Sequence, residues 1–249
     1  MRTTIPAVLA LLLASVVGFL VYASMVYTAE PAALAEVTSN TRITVTETHD
    51  TVTLTPAAGA TGDGIVFFAG AKVDPAAYAP TFTELVEAGV TVVIVRPILG
   101  FAIMEFRPLA TFTAAAPGVT NWMVGGHSLG GVRACQYAAD ASTNPDPDPA
   151  ITGVILFGSY CATDISEADV PVLSLAGSAD GLSTPNKIAD AASLVPADAT
   201  FVEIEGANHA SFGAYGAQRG DGVATATDES VRSAISAAIL GFEISTVSG

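Results

Sequence analysis

The glycine-rich stretch "GGHSLGG" (residues 125–131) places Ser128 between two glycines, Gly126 and Gly130. A strand that turns sharply into a helix needs small residues at these positions, and such a turn exposes the serine at the carboxyl edge of a sheet. The serine hydroxyl becomes a nucleophile only when a neighbouring base removes its proton. Because the chain has 23 glycines, the pattern could also arise by chance, so partners for Ser128 must be sought elsewhere.

The candidate bases are the three histidines of the chain. His49 lies in a predicted hairpin near the start, and His127 adjoins Ser128 and is expected to point away from it. His209 directly follows the last predicted strand, so its imidazole can reach the edge at which Ser128 lies. We therefore predict that His209 is the general base; the alternative is a histidine of a surface loop.

A catalytic histidine needs an acidic partner that fixes its tautomer. Asp180, in "LAGSADGL", follows a predicted apolar strand and lies in a loop of small residues that could turn its carboxylate inward. Asp164, Glu167 and Asp169 precede that strand and are less well placed. We predict that Asp180 orients His209; the alternative is an aspartate that caps its own loop.

Acyl transfer also needs N–H donors for the oxyanion that forms at the carbonyl. We predict that these are the backbone amides of Leu129, at the start of the following helix, and of Ala71, in the loop after "GIVFF". The adjacent Lys72 is interpreted as solvated. Apolar residues after the next strand are interpreted either as an acyl pocket or as helix core, and they are Phe101, Ile103, Met104 and Phe106.

Alternating strand and helix patterns must position these residues. A hairpin is predicted over residues 42–47 and 51–55, and buried strands over residues 64–68, 91–95, 121–124, 151–157, 171–175 and 200–204. Helices are predicted over residues 78–86, 129–141 and 185–194 and near the C-terminal end, around residues 228–242. This alternation predicts an α/β fold with a mostly parallel sheet and helices on both faces.

The N-terminal residues are unusually apolar. Residues 5–27 carry no charge and reach the ~20 residues with which a helix crosses a bilayer. We predict a transmembrane anchor or signal helix over residues 1–28, a linker over residues 29–40 and one α/β domain over residues 41–249. Arg2 before the apolar stretch and Glu30 after it predict a domain outside the cytoplasm; the alternative is secretion after cleavage near Ala35.

Composition limits the partners. The net charge is −15, with nine Lys and Arg residues among 249, which argues against nucleic acid, since phosphate backbones demand clustered cations. The two cysteines, Cys135 and Cys161, are interpreted either as a disulfide or as two buried thiols. The oligomeric state is left open by the sequence.

Four stretches of the chain together resemble one branch of the α/β-hydrolase superfamily, the "alpha/beta hydrolase fold-5" group related to dienelactone-hydrolase-like enzymes. The resemblance implies an α/β-hydrolase fold, a Ser128–Asp180–His209 triad, and no metal or organic cofactor. Dienelactone hydrolases themselves use a cysteine nucleophile, and the group commonly has two glycines where this chain has Gly70 and Ala71. The stretches are "GAKVDPAAYAP" (70–80), "GGHSLGG" (125–131), "PVLSLAGSADGL" (171–182) and "EGANHASFGAYG" (205–216).

The function predicted from the residues and from the resemblance is that of a serine hydrolase acting on carboxylic esters. The short connection between residues 157 and 171 leaves no room for a large lid, so small-molecule or surface-linked esters with short acyl chains are expected as substrates. Two alternatives remain open: an acyltransferase with the same triad, and a non-catalytic, membrane-tethered binding protein on a hydrolase scaffold.

Overall fold

An eight-stranded sheet forms the centre of the protein, in a computed structural model that describes the backbone of residues 4–247 and the side chains of residues 8–242. The strands are β1 (Ile43–Glu47), β2 (Thr51–Pro56), β3 (Asp63–Phe68), β4 (Thr91–Val95), β5 (Asn121–His127), β6 (Ile151–Phe157), β7 (Val172–Gly177) and β8 (Thr200–Ile204). They lie side by side in the order β1-β2-β4-β3-β5-β6-β7-β8.

Two strands of the sheet are antiparallel to their neighbours and the others are parallel. The predicted hairpin of β1 and β2 forms, and β2 pairs antiparallel with β4. All the other neighbouring pairs, from β4–β3 across the sheet to β7–β8, are parallel. The prediction of an α/β fold with a mostly parallel sheet is therefore confirmed, and the carboxyl ends of six strands meet at one edge.

Seven α-helices accompany the sheet in the described part of the chain. They are α1 (Thr4–Ser24), α2 (Pro31–Ser39), α3 (Thr83–Glu87), α4 (Ala110–Thr113), α5 (Leu129–Thr143), α6 (Pro185–Asp190) and α7 (Asp228–Val247).

Two of the predicted helices are shorter than their sequence patterns indicated. The helix expected over residues 78–86 is a 3₁₀ turn at Pro75–Tyr78 followed by α3. Pro80 separates the two because it has no N–H to donate within a helix. Likewise, α6 ends at Asp190 and a 3₁₀ turn follows at Ala192–Leu194.

Both faces of the sheet are buried under helices. Ile65 and Phe67 of β3 belong to a core with α2, α3 and α7, whereas Val66 and Phe68 of the same strand belong to a core with α4 and α5. Successive side chains of a strand point to opposite faces. The continuous apolar run "GIVFF" therefore reflects a strand that is covered on both sides.

The two cysteines form a disulfide. Cys135 of α5 is bonded to Cys161, which lies beyond the end of β6, with a Cα–Cα distance of 5.6 Å. The bond joins the helix that follows Ser128 to the loop after the neighbouring strand. Of the two interpretations of this pair, the disulfide is the one that the structure contains.

The N-terminal helix α1 leaves most of its described side chains exposed, including Leu9, Leu11 and Leu13. Within the residues that the structure describes, no helix combines the length and the hydropathy of a membrane-spanning segment. The predicted transmembrane character of this segment is therefore not supported by the structure.

Candidate active site

Ser128 lies on a strained turn between β5 and α5. Its φ of 53° and ψ of −123° lie in a region that costs a non-glycine residue ~1–3 kcal/mol and persists only where the surroundings impose it. The serine N–H donates to the carbonyl of Phe157 at 3.1 Å. This bond fixes the turn to the carboxyl end of the adjacent strand β6.

The two glycines that flank Ser128 are required by contact, not only by pattern. A Cβ on Gly126 would lie 2.2 Å from the carbonyl carbon of Gly130, and a Cβ on Gly130 would lie 2.0 Å from the carbonyl oxygen of Phe68. Both distances are far below van der Waals contact, and the opposing atoms belong to the backbone. Since the backbone cannot yield as a side chain can, the turn tolerates only glycine at these positions.

Asp180 and His209 form a buried hydrogen-bonded pair. The Oδ2 atom of Asp180 lies 2.8 Å from the Nδ1 atom of His209, and both side chains are almost completely shielded from solvent. The other carboxylate oxygen, Oδ1, accepts from the N–H groups of Leu182 at 2.8 Å and Ser183 at 2.7 Å. These bonds satisfy the carboxylate and aim Oδ2 at the imidazole.

Ser128 and the Asp180–His209 pair meet at the end of β6. A Cβ on Gly158, the residue after β6, would lie 2.9 Å from Oδ2 of Asp180 and 3.2 Å from Nδ1 of His209. Phe157, immediately before it, accepts the Ser128 N–H. Among the described residues no hydrogen bond joins the Ser128 hydroxyl to the imidazole, a contact that often tightens only when substrate binds.

Asp221 ties together the loops that carry the candidate acid, Asp180, and the candidate base, His209. Its Oδ1 atom accepts from the backbone N–H groups of Gly181 at 3.0 Å and His209 at 3.1 Å, and its Oδ2 atom accepts from Ala210 at 2.9 Å. Gly181 follows Asp180 directly, so one carboxylate bridges the Asp180 loop and the His209 loop. The flanking Gly220 and Gly222 predict a turn from the sequence, but they give no sign of these partners.

We predict that Asp221→Asn lowers kcat by about 10²-fold with little change in KM, because small misplacement of a catalytic group has effects of that size. The substitution replaces one acceptor oxygen with an NH₂ donor that faces a backbone N–H. Esterase kinetics and thermal melting check the prediction. Asp198→Asn, at an exposed position, is the matched control, and an equal loss in both variants would contradict a positioning role.

His127 is a neighbour of the candidate base. Its ring centre lies 4.3 Å from that of His209, although the sequence analysis treated it only as a residue pointing away from Ser128. Burial lowers the pKa of His127 well below its usual value, so the ring is neutral at neutral pH. Its Nδ1 atom lies 2.9 Å from the hydroxyl of Tyr78, which fixes the ring and occupies that nitrogen.

Tyr78 connects His127 to the predicted oxyanion loop. The Gly70 N–H donates to the Tyr78 hydroxyl at 3.0 Å. Burial raises the pKa of Tyr78, so the phenol keeps its proton, and it donates to Nδ1 of His127 in the tautomer that carries the imidazole proton on Nε2. Tyr78 thus joins the His127 ring to the predicted oxyanion loop, contacts that the apolar spacing of residues 78–86 did not indicate.

The predicted oxyanion donors flank the Ser128 turn. Leu129 is the first residue of α5, and Ala71 lies in the loop after β3, next to strand β5. Neither backbone N–H donates to an acceptor among the described residues, which leaves both free for a ligand. Among the residues that the structure describes, no group of three or more His, Cys, Asp or Glu side chains is arranged to hold a metal ion.

The sequence analysis interpreted the apolar segment after β4 either as an acyl pocket or as helix core, and the structure excludes the second interpretation. It contains two 3₁₀ turns, Ile98–Gly100 and Ala102–Met104, and both Ile103 and Phe106 are exposed. The segment is therefore not the core of a helix.

Lys72, interpreted as solvated, instead places its ammonium 3.7 Å from the ring centre of Tyr22.

Residues 64–233 match the sequence model of the Alpha/beta hydrolase family. The matched range includes Ser128, Asp180 and His209 and both predicted oxyanion donors. No curated protein matches the chain significantly.

Proposed function

Because the chain belongs to the alpha/beta hydrolase family, we propose that it is a serine hydrolase that cleaves carboxylic esters through an acyl-enzyme on Ser128. The observation that carries this proposal is the buried contact of 2.8 Å between Asp180 and His209, beside a serine held on a strained turn. A carboxylate, an imidazole and a hydroxyl gathered at one sheet edge are the groups that nucleophilic acyl transfer requires.

In the first step, Nε2 of His209 takes the proton of the Ser128 hydroxyl while the oxygen attacks the ester carbonyl carbon. The carbonyl π pair moves to oxygen, and the amide N–H groups of Ala71 and Leu129 hold the resulting oxyanion. When the carbonyl re-forms, the C–O bond to the alcohol breaks and His209 protonates the departing alkoxide. The alcohol leaves and the acyl group remains on Ser128.

In the second step, His209 takes a proton from water, and the hydroxide oxygen attacks the acyl carbon. Collapse of the second intermediate breaks the bond to Ser128, which recovers its proton from His209, and the carboxylic acid leaves. Asp180 keeps the Nδ1 proton of His209 in place and stabilises the imidazolium that forms in each step. No other reactant is needed.

Covalent labelling tests this proposal. A fluorophosphonate probe is expected to label the native protein at one site, and the Ser128→Ala variant is expected to remain unlabelled. Heat-denatured protein serves as the control for nonspecific attachment, because it retains the serine but loses the site. A native protein that takes up no label, or a label that persists in Ser128→Ala, would refute the proposal.

The place of the domain is a further part of the proposal. The disulfide between Cys135 and Cys161 supports a position outside the cytoplasm, where such bonds persist. The apolar side chains in the first half of α1, among them Leu9, Leu11 and Leu13, are exposed and need a covering, which we take to be lipid. Membrane fractionation with external protease tests both points; a mature chain that begins near Glu36 would favour the cleaved-signal alternative.

A further inference from the structure

Backbone strain beyond the Ser128 turn is concentrated next to the candidate oxyanion donor. In the described part of the chain, the other non-glycine residues with positive φ are Lys72 (φ 59°) and Leu99 (φ 54°). The Lys72 N–H donates to the carbonyl of Gly100 at 2.7 Å, so the two strained loops contact each other. Strained backbone persists where the surroundings impose it and clusters at sites that act on ligands.

The chain that leaves α1 runs along the same loop. The Tyr27 N–H donates to the carbonyl of Lys72 at 2.7 Å, and the Asp74 N–H donates to the carbonyl of Tyr27 at 2.9 Å. Tyr27 and Val73 form a parallel bridge. These bonds hold the end of α1 beside the loop whose Ala71 amide is the candidate oxyanion donor.

Aromatic side chains from α1 and from the loop after β4 stack against one another. The ring of Phe101 lies 5.9 Å from that of Phe19 and 6.4 Å from that of Tyr22, in both cases nearly parallel. The Lys72 ammonium lies over the ring of Tyr22. The contacts join residues about 80 positions apart into one surface next to Ala71.

This surface is apolar and open to solvent. We call it the apolar ledge and define it by Phe19, Tyr22, Leu99, Phe101 and Ile103. Phe19 is 41% exposed, Leu99 43%, Ile103 52% and Tyr22 54%. Three of these side chains, Phe19, Tyr22 and Phe101, are stacked against one another, and an exposed apolar patch of this kind indicates a surface that receives an apolar group.

We propose that the apolar ledge binds the acyl chain of the substrate, so that esters of medium-chain acids are preferred over acetate. This inference rests on the proposed function, because it assumes that the ester carbonyl oxygen lies at the amides of Ala71 and Leu129. The Lys72 N–H, one residue after Ala71, donates to the carbonyl of Gly100, which lies between Leu99 and Phe101 of the ledge, so an acyl chain attached to the ester carbonyl begins next to the ledge. Each methylene that the ledge shields from water strengthens binding. The proposal departs from the short-chain substrates expected from the sequence.

Nitrophenyl esters from acetate to decanoate test the ledge in the full-length protein. The kcat/KM of the unaltered protein is expected to rise with chain length. In Phe101→Ala, the ratio of kcat/KM for octanoate to that for acetate is expected to fall by about tenfold or more, the size of effect of a lost apolar contact. Tyr22→Ala is expected to lower the ratio in the same direction.

Phe201→Ala is the matched control, since Phe201 is an exposed phenylalanine of β8, at the far edge of the sheet. It is expected to leave the octanoate-to-acetate ratio unchanged. A series that is flat from acetate to decanoate, or equal losses for both esters in Phe101→Ala and Tyr22→Ala, would overturn the ledge while leaving the hydrolase proposal intact.

A binding measurement separates the failure of the ledge from the failure of the proposed function. Decanoate, the product acid, is titrated calorimetrically into Ser128→Ala protein and into the double variant Ser128→Ala/Phe101→Ala. Binding by the first and at least tenfold weaker binding by the second are expected whether or not turnover occurs. No binding by either protein would overturn the ledge, whereas decanoate binding combined with a failure of the unaltered protein to take up the fluorophosphonate probe would overturn the catalytic proposal alone.

Discussion

Replacing Ser128 with alanine is expected to lower kcat for a nitrophenyl ester by about 10⁴- to 10⁶-fold. The alanine variant keeps the oxyanion amides and the Asp180–His209 pair, so a small residual rate above that of water remains. The methyl group has no lone pair to attack the carbonyl. Alanine is also smaller than serine, and the strained turn is held by its glycine neighbours, so the fold is expected to persist.

Steady-state kinetics with acetate and octanoate esters measure this effect, and thermal melting confirms that the variant is folded. Ser166→Ala is the matched control, because Ser166 is a half-buried serine of the loop between β6 and β7, outside the candidate triad. A Ser128→Ala protein that retains more than about a tenth of the native kcat would exclude Ser128 as the nucleophile, since removal of a true nucleophile costs orders of magnitude more.

Replacing Asp180 with asparagine is expected to lower kcat by about 10⁴-fold. Asparagine is almost the same size, but its NH₂ group can donate to Nδ1 of His209. The imidazole then carries its proton on Nε2 and cannot accept the proton of the Ser128 hydroxyl. The loss of negative charge also removes the stabilisation of the imidazolium.

Asp164→Asn is the control for Asp180→Asn, because Asp164 was a competing candidate for the acid and lies before β7. Its carboxylate instead accepts the Ser166 N–H at 2.9 Å, an arrangement typical of a loop cap. Asp164→Asn is expected to keep native kcat. If the two variants lost activity equally, the assignment of the acid to Asp180 would be wrong.

Most of the sheet could be predicted from the sequence because its strands carry a local signal. Residues 64–68 and 151–157 are apolar on both faces, and both became strands close to their predicted bounds. The prediction of one continuous helix around Tyr78 and Leu85 was wrong. Apolar spacing indicated a helix, but Pro80 interrupts it, and the spacing of buried side chains does not report a break in the backbone.

The candidate site could be predicted where a residue follows a strand and could not where it acts through contacts. Ser128, Asp180 and His209 each follow a parallel strand, so their meeting at one edge follows from the fold. Asp221 belongs to no such pattern, and only the structure shows that it accepts N–H groups from two loops. The chain offers 24 acidic residues, and nothing local distinguishes this one.

The sequence by itself determined the alternation of strands and helices, the glycines around Ser128, and the order of serine, acid and histidine along the chain. Tertiary structure alone decided which side chains touch across long separations: the disulfide of Cys135 with Cys161, and the stacking of α1 on Phe101. The reason is physical. Backbone propensity and hydrophobic period act over a few neighbouring residues, whereas these contacts depend on how whole elements pack.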